Sequence, residues 1–148
     1  MSNQTITRHD WSTLIPHRGA MCLLDDVVGW TDATIHARSD SHRDPANPLR
    51  SDGRLRALHL CEYGAQAMAV HGGLLARAAG GIAAPGFLVS LRAVELKVDR
   101  VDDIAGSIDV YGERLMGGEG SWQYAFRIEY QATLLASGRA AVMARPLT

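Results

Sequence analysis

The chain has 148 residues, the length of one domain, with 15 basic against 16 acidic side chains and a formal net charge of −1. This balance argues against nucleic acid as the main partner, because no uncompensated positive field covers the molecule. Its two cysteines, Cys22 and Cys61, are too few for a disulfide framework or a zinc site, so we predict both to be reduced and buried and expect no bound metal.

No targeting or membrane-spanning segment is predicted. The N-terminal sequence MSNQTITRHDW contains no basic region followed by an apolar run, so a secretory signal is not expected. The longest uncharged stretch, residues 63–76, is too short to cross about 30 Å of hydrocarbon. We therefore expect a single cytoplasmic domain over residues 1–148 that does not span a membrane.

The first predicted elements in chain order are short. A brief helix is predicted over residues 10–14, ending at Pro16. Two strands are predicted over residues 21–30 and 34–39. A polar loop with two prolines then covers residues 40–53 and leads into the longest apolar segment of the chain.

That segment predicts a long buried helix with one acid in it. Residues 57–76 read ALHLCEYGAQAMAVHGGLLA, and Glu62 is the one formally charged group among them. A helix without a polar face is a buried helix. Because a carboxylate taken out of water costs several kcal/mol unless it is paired or protonated, Glu62 is predicted to be a buried acid used in chemistry. The alternative is a structural acid bonded to backbone donors.

After Pro85 the apolar pattern changes to a period of two. Four strands are predicted there, over residues 87–98, 107–115, 124–131 and 139–144. Turns are predicted at residues 116–120 and 137–138, where glycines cluster. The order of elements predicts an α+β fold, in which a curved antiparallel sheet of about five to six strands wraps the long helix.

Two segments resemble a known family. Residues 14–28 read LIPHRGAMCLLDDVV, which is similar to a Leu-Pro-His-Arg turn that feeds an apolar strand with an Asp near its end. Residues 62–67 read EYGAQA, which is similar to a Glu-x-x-Ala-Gln motif in a central helix. Together they resemble the hot-dog fold 3-hydroxyacyl-[acyl-carrier-protein] dehydratases, and most of all the divergent branch from aryl polyene and related biosynthetic clusters. The resemblance covers nearly the whole chain and implies the hot-dog fold.

The resemblance also implies a reaction, the dehydration of a 3-hydroxyacyl thioester held on the phosphopantetheine of acyl carrier protein, with no other cofactor. Dehydration removes a proton from C2 and expels the C3 hydroxyl, so it needs a base and an acid. In the family the helix carboxyl group is the acid and a loop histidine is the base, while backbone N–H groups polarise the thioester carbonyl. Glu62 matches the acid. Asn47 stands where the loop histidine is expected, and an amide cannot accept that proton near neutral pH.

Two histidines are candidates for the missing base. His59, Glu62 and Gln66 are spaced to lie on one side of the helix. His59 is therefore predicted to be a displaced catalytic base, the alternative being a structural histidine that holds Glu62 ionised. His42, in the loop, is the second candidate. His71 is predicted to be structural, because it lies on the opposite side of the helix from Glu62.

Substrate-binding residues are predicted in the loop and beside the acid: Asn47, Tyr63 and Gln66. The Asn47 amide can orient a substrate by donating a hydrogen bond. For Tyr63 a place in the core is the alternative, and for Gln66 a hydrogen bond to the backbone.

Partners are predicted from a basic segment and from the resemblance. Arg43, Arg50, Arg54 and Arg56 lie in and just after the loop. Acyl carrier proteins are acidic, so this basic rim would suit their docking, although a run of exposed charge is usually a solvated surface. The resemblance further implies a homodimer, or a heterodimer with a related hot-dog subunit, in which edge strands pair.

Three functions stay open from the sequence. The first is a hydro-lyase that dehydrates carrier-bound 3-hydroxyacyl groups in fatty-acid or polyene biosynthesis. The second is a hot-dog thioesterase, in which Glu62 activates a water that attacks an acyl thioester. The third is a non-catalytic partner that stabilises an active dehydratase and binds its acyl chain, which Asn47 in place of the base would favour.

Overall fold

The structure is a computed structural model that describes residues 5–15, 19–81, 86–118 and 120–144. The predicted opening turn at residues 16–18 and Pro85 lie outside these residues. The helices are α1 (Arg8–Trp11) and α2 (Leu60–Ala78), and the strands are β1 (Ile6–Thr7), β2 (Asp26–Trp30), β3 (Thr34–Ser39), β4 (Gly86–Leu96), β5 (Ile108–Gly118), β6 (Ser121–Tyr130) and β7 (Thr133–Ala144). Turns of 3-10 helix occur at Ser12–Leu14, Gly19–Met21, Ser41–Arg43 and Ala57–His59.

The strands form one antiparallel sheet in the order β1-β2-β3-β5-β6-β7-β4. The long helix α2 packs on one face of this sheet, against β3, β5, β6 and β7. The predicted α+β arrangement is confirmed. The sheet has seven strands within the described residues, because Ile6–Thr7 adds a two-residue edge strand too short to show any alternation in the sequence.

The core lies between α2 and the sheet. Fully buried side chains of α2 include Tyr63, Val70 and Leu74, and they meet inward-facing strand residues such as Ile35 and Ile128. An uninterrupted apolar stripe of this kind explains why the sequence forms one long helix here. Within the described residues, no helix has the length and apolar character needed to cross a membrane.

The first predicted strand is wrong over its first half. Residues 22–25 run without regular structure before β2 begins at Asp26. Side chains bond both backbone polar groups of Leu23. Gln66 Oε1 accepts from the Leu23 N–H at 2.9 Å. The hydroxyls of Ser39 and Ser41 donate to the Leu23 carbonyl at 2.5 and 2.6 Å. These bonds occupy groups that a strand would need for its ladder.

The predicted turn at residues 137–138 is also wrong, because both residues lie inside β7. The turn occurs instead at Gln131 and Ala132, whose φ angles of 47° and 66° are left-handed although neither residue is glycine. Gly138 meets a packing need: a Cβ there would lie 2.8 Å from Cζ of Phe126. The glycine therefore marks a close approach inside the core and not a reversal of the chain.

Candidate active site

Glu62 lies in the first turn of α2, and its side chain is exposed in the single chain. Along the same side of the helix lie Leu58, whose side chain is 58% exposed, and Ala69, which is also exposed. The prediction that Glu62 is buried within its own chain is therefore wrong. The sheet covers only one side of α2, so the other side remains apolar and open, with Glu62 as its acid.

The Glu62 carboxylate has no orienting partner in the part of the chain that the structure describes. Among the described residues it forms no hydrogen bond and no ion pair, including with His59. An apolar surface with one free carboxylate is unusual on a protein that stays monomeric. The arrangement supplies an acid that is accessible on an apolar helix face.

His59 ends the 3-10 turn that leads into α2 and is the N-cap residue of that helix. Its side chain is half-buried and makes no capping hydrogen bond. Glu62 follows three residues later, so both side chains lie near the N-terminus of α2, where the helix dipole favours negative charge. A thioester carbonyl placed there would be polarised by the positive end of that dipole, since the N–H groups of His59 and Leu60 are already bonded within the turn.

His42, the second candidate for the base, is sealed in the interior. Its side chain is fully buried, and its Nε2 donates to the carbonyl of Ile104 at 3.1 Å. Its Nδ1 has no hydrogen-bond partner within the described residues. Burial lowers the pKa of His42, an effect that the hydrogen bond to Ile104 only partly opposes. The ring cannot meet a substrate without movement of the loop.

Asn47 is buried as well, and its amide is fully engaged. Its Nδ2 donates to the carbonyl of Ser41 at 2.9 Å and to the hydroxyl of Tyr63 at 3.1 Å, while its Oδ1 accepts from the N–H of Leu49 at 2.9 Å. Both amide hydrogens are therefore in use. The Asn47 amide could donate to a substrate only by giving up one of its two donor bonds, of which the one to Tyr63 joins the loop to α2.

Tyr63 and Gln66 point away from solvent, and both side chains are fully buried. The Tyr63 hydroxyl bonds Ser41 Oγ at 2.8 Å, and burial raises the pKa of Tyr63. Gln66 accepts from the N–H of Leu23 and donates to the carbonyl of Met21. Their contacts are those of the two alternatives noted from the sequence, a core tyrosine and a glutamine bonded to backbone.

The basic rim is smaller than the sequence indicated. Arg43 is paired with Asp40 at 3.1 Å, and both terminal nitrogens of Arg50 donate to backbone carbonyl groups at 3.1 Å. Arg54 and Arg56 are exposed, and neither forms an ion pair within the described residues. These two arginines are the members of the rim that stay available to a partner.

A feature that the sequence did not single out is the open edge at β4. The strand spans 11 residues, and one of its two edges has no neighbour in the described sheet. It exposes apolar side chains on both faces: Leu88, Val89, Leu91 and Leu96 are 41%, 50%, 38% and 43% exposed. A long apolar edge of this kind is a template for pairing with another chain.

Acidification below pH 6.5 is expected to destabilise the fold through His42 and His71. His71 is fully buried, with Nε2 donating to the carbonyl of Thr31 and Nδ1 accepting from the hydroxyl of Tyr124, each at 2.8 Å. Burial lowers the pKa of both histidines below their ordinary value of 6.5. Below that pH the unfolded chain binds more protons than the folded one, so stability present above pH 6.5 is lost as the pH falls.

The loss is expected to approach about 1.4 kcal/mol per pH unit for each histidine. Urea unfolding at pH 7.5 and 5.5 measures it. His71→Gln should reduce the difference between the two pH values, whereas His9→Asn, at an exposed position, should not. Equal stability at both pH values would contradict the prediction. The low pKa of Asp102, caused mainly by Arg100, acts below pH 3.8 and does not contribute to this window.

Comparison with known proteins identifies a family by its sequence model and the fold by similar solved structures. The sequence matches the model of the ApeP-like family, described as ApeP dehydratase, over residues 9–147. Among solved structures, the chain is similar to the dehydratase heterocomplex ApeI:P from Xenorhabdus doucetiae, with a TM-score of 0.83 and 24% identity over 92% of this chain and 91% of that one. Among curated proteins, none matches.

More distant structural likenesses are found to a thioesterase from Staphylococcus aureus and a conserved protein from Pseudomonas aeruginosa. The first has a TM-score of 0.59 and 13% identity over 81% of this chain and 92% of that one. The second has a TM-score of 0.56 and 18% identity over 80% and 86%. These likenesses confirm the predicted hot-dog fold.

Proposed function

Since the chain belongs to the ApeP dehydratase family, we propose that it serves the dehydration of 3-hydroxyacyl groups on acyl carrier protein, with Glu62 as the acid that protonates the departing C3 hydroxyl. The observation that carries the proposal is the position of Glu62, a single carboxylate on an open apolar helix face at a helix N-terminus. The family supports a dehydratase-like function, and the assignment of Glu62 goes beyond it.

The open face calls for a second subunit. Glu62 becomes part of a closed cavity only when another surface covers its side of α2, and the apolar β4 edge offers a place for that subunit to pair. The likeness to a dehydratase heterocomplex favours a related hot-dog subunit over a second copy of this chain. A dry cavity strengthens the hydrogen bond from the acid to the leaving hydroxyl.

The base in this proposal is His59. Asn47 cannot accept a proton, and His42 is sealed in the interior. The His59 ring takes the proton from C2, the Glu62 carboxyl gives its proton to the C3 hydroxyl, and the products are a 2-enoyl thioester and water. The positive end of the α2 dipole polarises the thioester carbonyl and stabilises the negative charge that develops on it.

The test is an incubation of the chain, alone and with a related hot-dog subunit from the same source, with a 3-hydroxyacyl carrier protein and separately with a saturated acyl carrier protein. Mass spectrometry of the carrier reports the product. An enoyl group from the complex supports the proposal. Free fatty acid from the saturated substrate would instead support the thioesterase alternative, which the likeness to a thioesterase makes the second candidate.

Replacing His59 by glutamine is expected to lower the kcat of dehydration by the complex by about 10²–10⁴-fold, because glutamine cannot accept the C2 proton. The measurement is the rate of enoyl formation at saturating substrate. His9→Gln, an exposed histidine at the start of the chain, is the matched control and should retain full activity. An active His59 variant would assign the base to the second subunit and leave this chain as the provider of the acid.

Charge reversal at Arg54 and Arg56 is expected to raise the KM for carrier-bound substrate about tenfold, because an acidic carrier protein would lose its two free cations at the rim. The kcat for a short pantetheine thioester, which lacks the carrier, should not change. Arg77→Glu, at the exposed C-terminal end of α2, is the control. A KM that is unchanged in the double variant would move carrier docking to another surface.

A further inference from the structure

A row of planar side chains crosses the outer face of the sheet, away from α2. In the strand register, Gly29 of β2 lies opposite His36 of β3, His36 opposite Tyr111 of β5, and Tyr111 opposite Arg127 of β6. Ile35, the neighbour of His36, is buried in the core, so His36 and its row face outward. None of these residues takes part in the function proposed above.

Three members of the row form an ordered stack. The rings of His36 and Tyr111 lie 4.3 Å apart with 18° between their planes, and the guanidinium carbon of Arg127 lies 4.1 Å from the centroid of the Tyr111 ring. Carboxylates fix both ends: Asp109 Oδ1 lies 2.8 Å from His36 Nε2, and Arg127 Nε donates to Glu129 at 2.6 Å. The stack is therefore held in place before any ligand arrives.

The stack ends at His36 on β3, and β2 and β1 lie between it and the edge of the sheet. The next position in the row is Gly29, which offers no side chain to cover the second face of the His36 ring. Neighbouring strands are about 4.8 Å apart, so a planar group above Gly29 would lie at stacking distance from the imidazole. A groove of about 360 Å³ opens at this point, lined among others by Gly29, Thr34, His36 and Glu113.

We propose that this groove binds a flat nitrogen heterocycle with amino donors, of the purine type, which stacks on His36 above Gly29. Ligand pockets in proteins measure about 300–1,000 Å³, and this groove falls within that range. The polar groups around it select the chemistry. The exposed carboxylate of Glu113 accepts amino hydrogens, and the hydroxyl of Thr34, already bonded to Thr31 Oγ1 at 2.8 Å, can make one more hydrogen bond.

The charge beside the groove also favours a ring with amino donors. Asp109 and Glu113 lie on the same face of β5, on either side of Tyr111. Asp109 is paired with His36 and Arg38, whereas Glu113 is exposed and forms no ion pair among the described residues. The unpaired Glu113 carboxylate beside the slot disfavours a ring that carries its own negative charge and favours one with partial positive charge on its amino groups. An adenine-like ring meets this condition, and its thickness matches a single missing layer of the stack.

The experiment is a titration of the full chain with adenosine, followed through the amide NMR signals of the protein. Shifts at Gly29 and His36 that saturate with concentration are the expected result, and ribose should produce none. Gly29→Leu, which fills the slot, and His36→Ala, which removes the platform, should each weaken binding at least about tenfold. Ser137→Ala, beyond Arg127 at the far end of the row, should bind as the original chain does.

Absence of saturable shifts at Gly29 and His36, equal shifts with ribose, or unchanged binding by both variants would overturn the proposal. If Gly29→Leu disturbs the strand, His36→Ala still tests the proposal. The row lies on the face of the sheet away from α2, so neither binding nor its absence bears on the assignment of Glu62.

Discussion

Replacing Glu62 by glutamine is expected to lower dehydration by the assembled complex by about 10²–10⁴-fold. Glutamine has nearly the same shape as glutamic acid but carries no acidic proton, so the C3 hydroxyl would have to leave without protonation. The side chain is exposed and makes no hydrogen bond or ion pair among the described residues, so the isolated chain should unfold at the same temperature as before. The measurements are kcat/KM for enoyl formation and the melting temperature.

The matched control is Asp103→Asn, which also neutralises an exposed carboxylate, in the turn before β5. It should leave both quantities unchanged. A Glu62→Gln complex that retains full activity would remove Glu62 from the chemistry and leave the chain with the role of a structural partner. A variant that fails to form the complex would instead make Glu62 an interface residue, which size-exclusion chromatography of the same samples detects.

The sequence predicted the long helix and the acid within it, but not the environment of that acid. Residues 57–76 are apolar on every side, and this pattern fits a helix enclosed by its own chain as well as one shared between two chains. The difference lies in which side the sheet covers, which is a property of the tertiary structure. Leu58, Glu62 and Ala69 are exposed because α2 packs on the sheet with its other face.

The polar residues were harder to interpret, because residue type does not show where a side chain finds its partners. Asn47 and Tyr63 are 16 positions apart and bond each other at 3.1 Å, and Gln66 bonds Leu23 across 43 positions. Contacts at that separation form only when the loop closes over α2. The same limit applies to Gly138. Its packing against Phe126 leaves no signal in the local sequence, and Ser137-Gly138 is typical of a turn.

The Phe126 contact leads to the largest expected effect on stability, at Gly64. A Cβ at Gly64 would lie 2.7 Å from Cδ2 of Phe126, closer than any ordinary carbon contact. The ring has little room to move, because it also packs closely against Gly138, where a Cβ would lie 2.8 Å from its Cζ. Phe126 is 3% exposed and has no room outward. Gly64→Ala is therefore expected to reduce the free energy of unfolding by about 2 kcal/mol, measured by denaturant titration.

The same helix contains its own control at Gly72. No atom lies within 4 Å of a Cβ built there, so Gly72→Ala meets no obstacle and should raise the free energy of unfolding by up to about 1 kcal/mol through helix propensity. The two substitutions are chemically identical, and their opposite signs would isolate the contact with the ring. Phe126→Leu in the Gly64→Ala background should then recover part of the loss, since the smaller side chain vacates the space that the new methyl group needs. Destabilisation by Gly64→Ala that Phe126→Leu does not relieve would mean that the helix backbone, and not the ring, resists the methyl group.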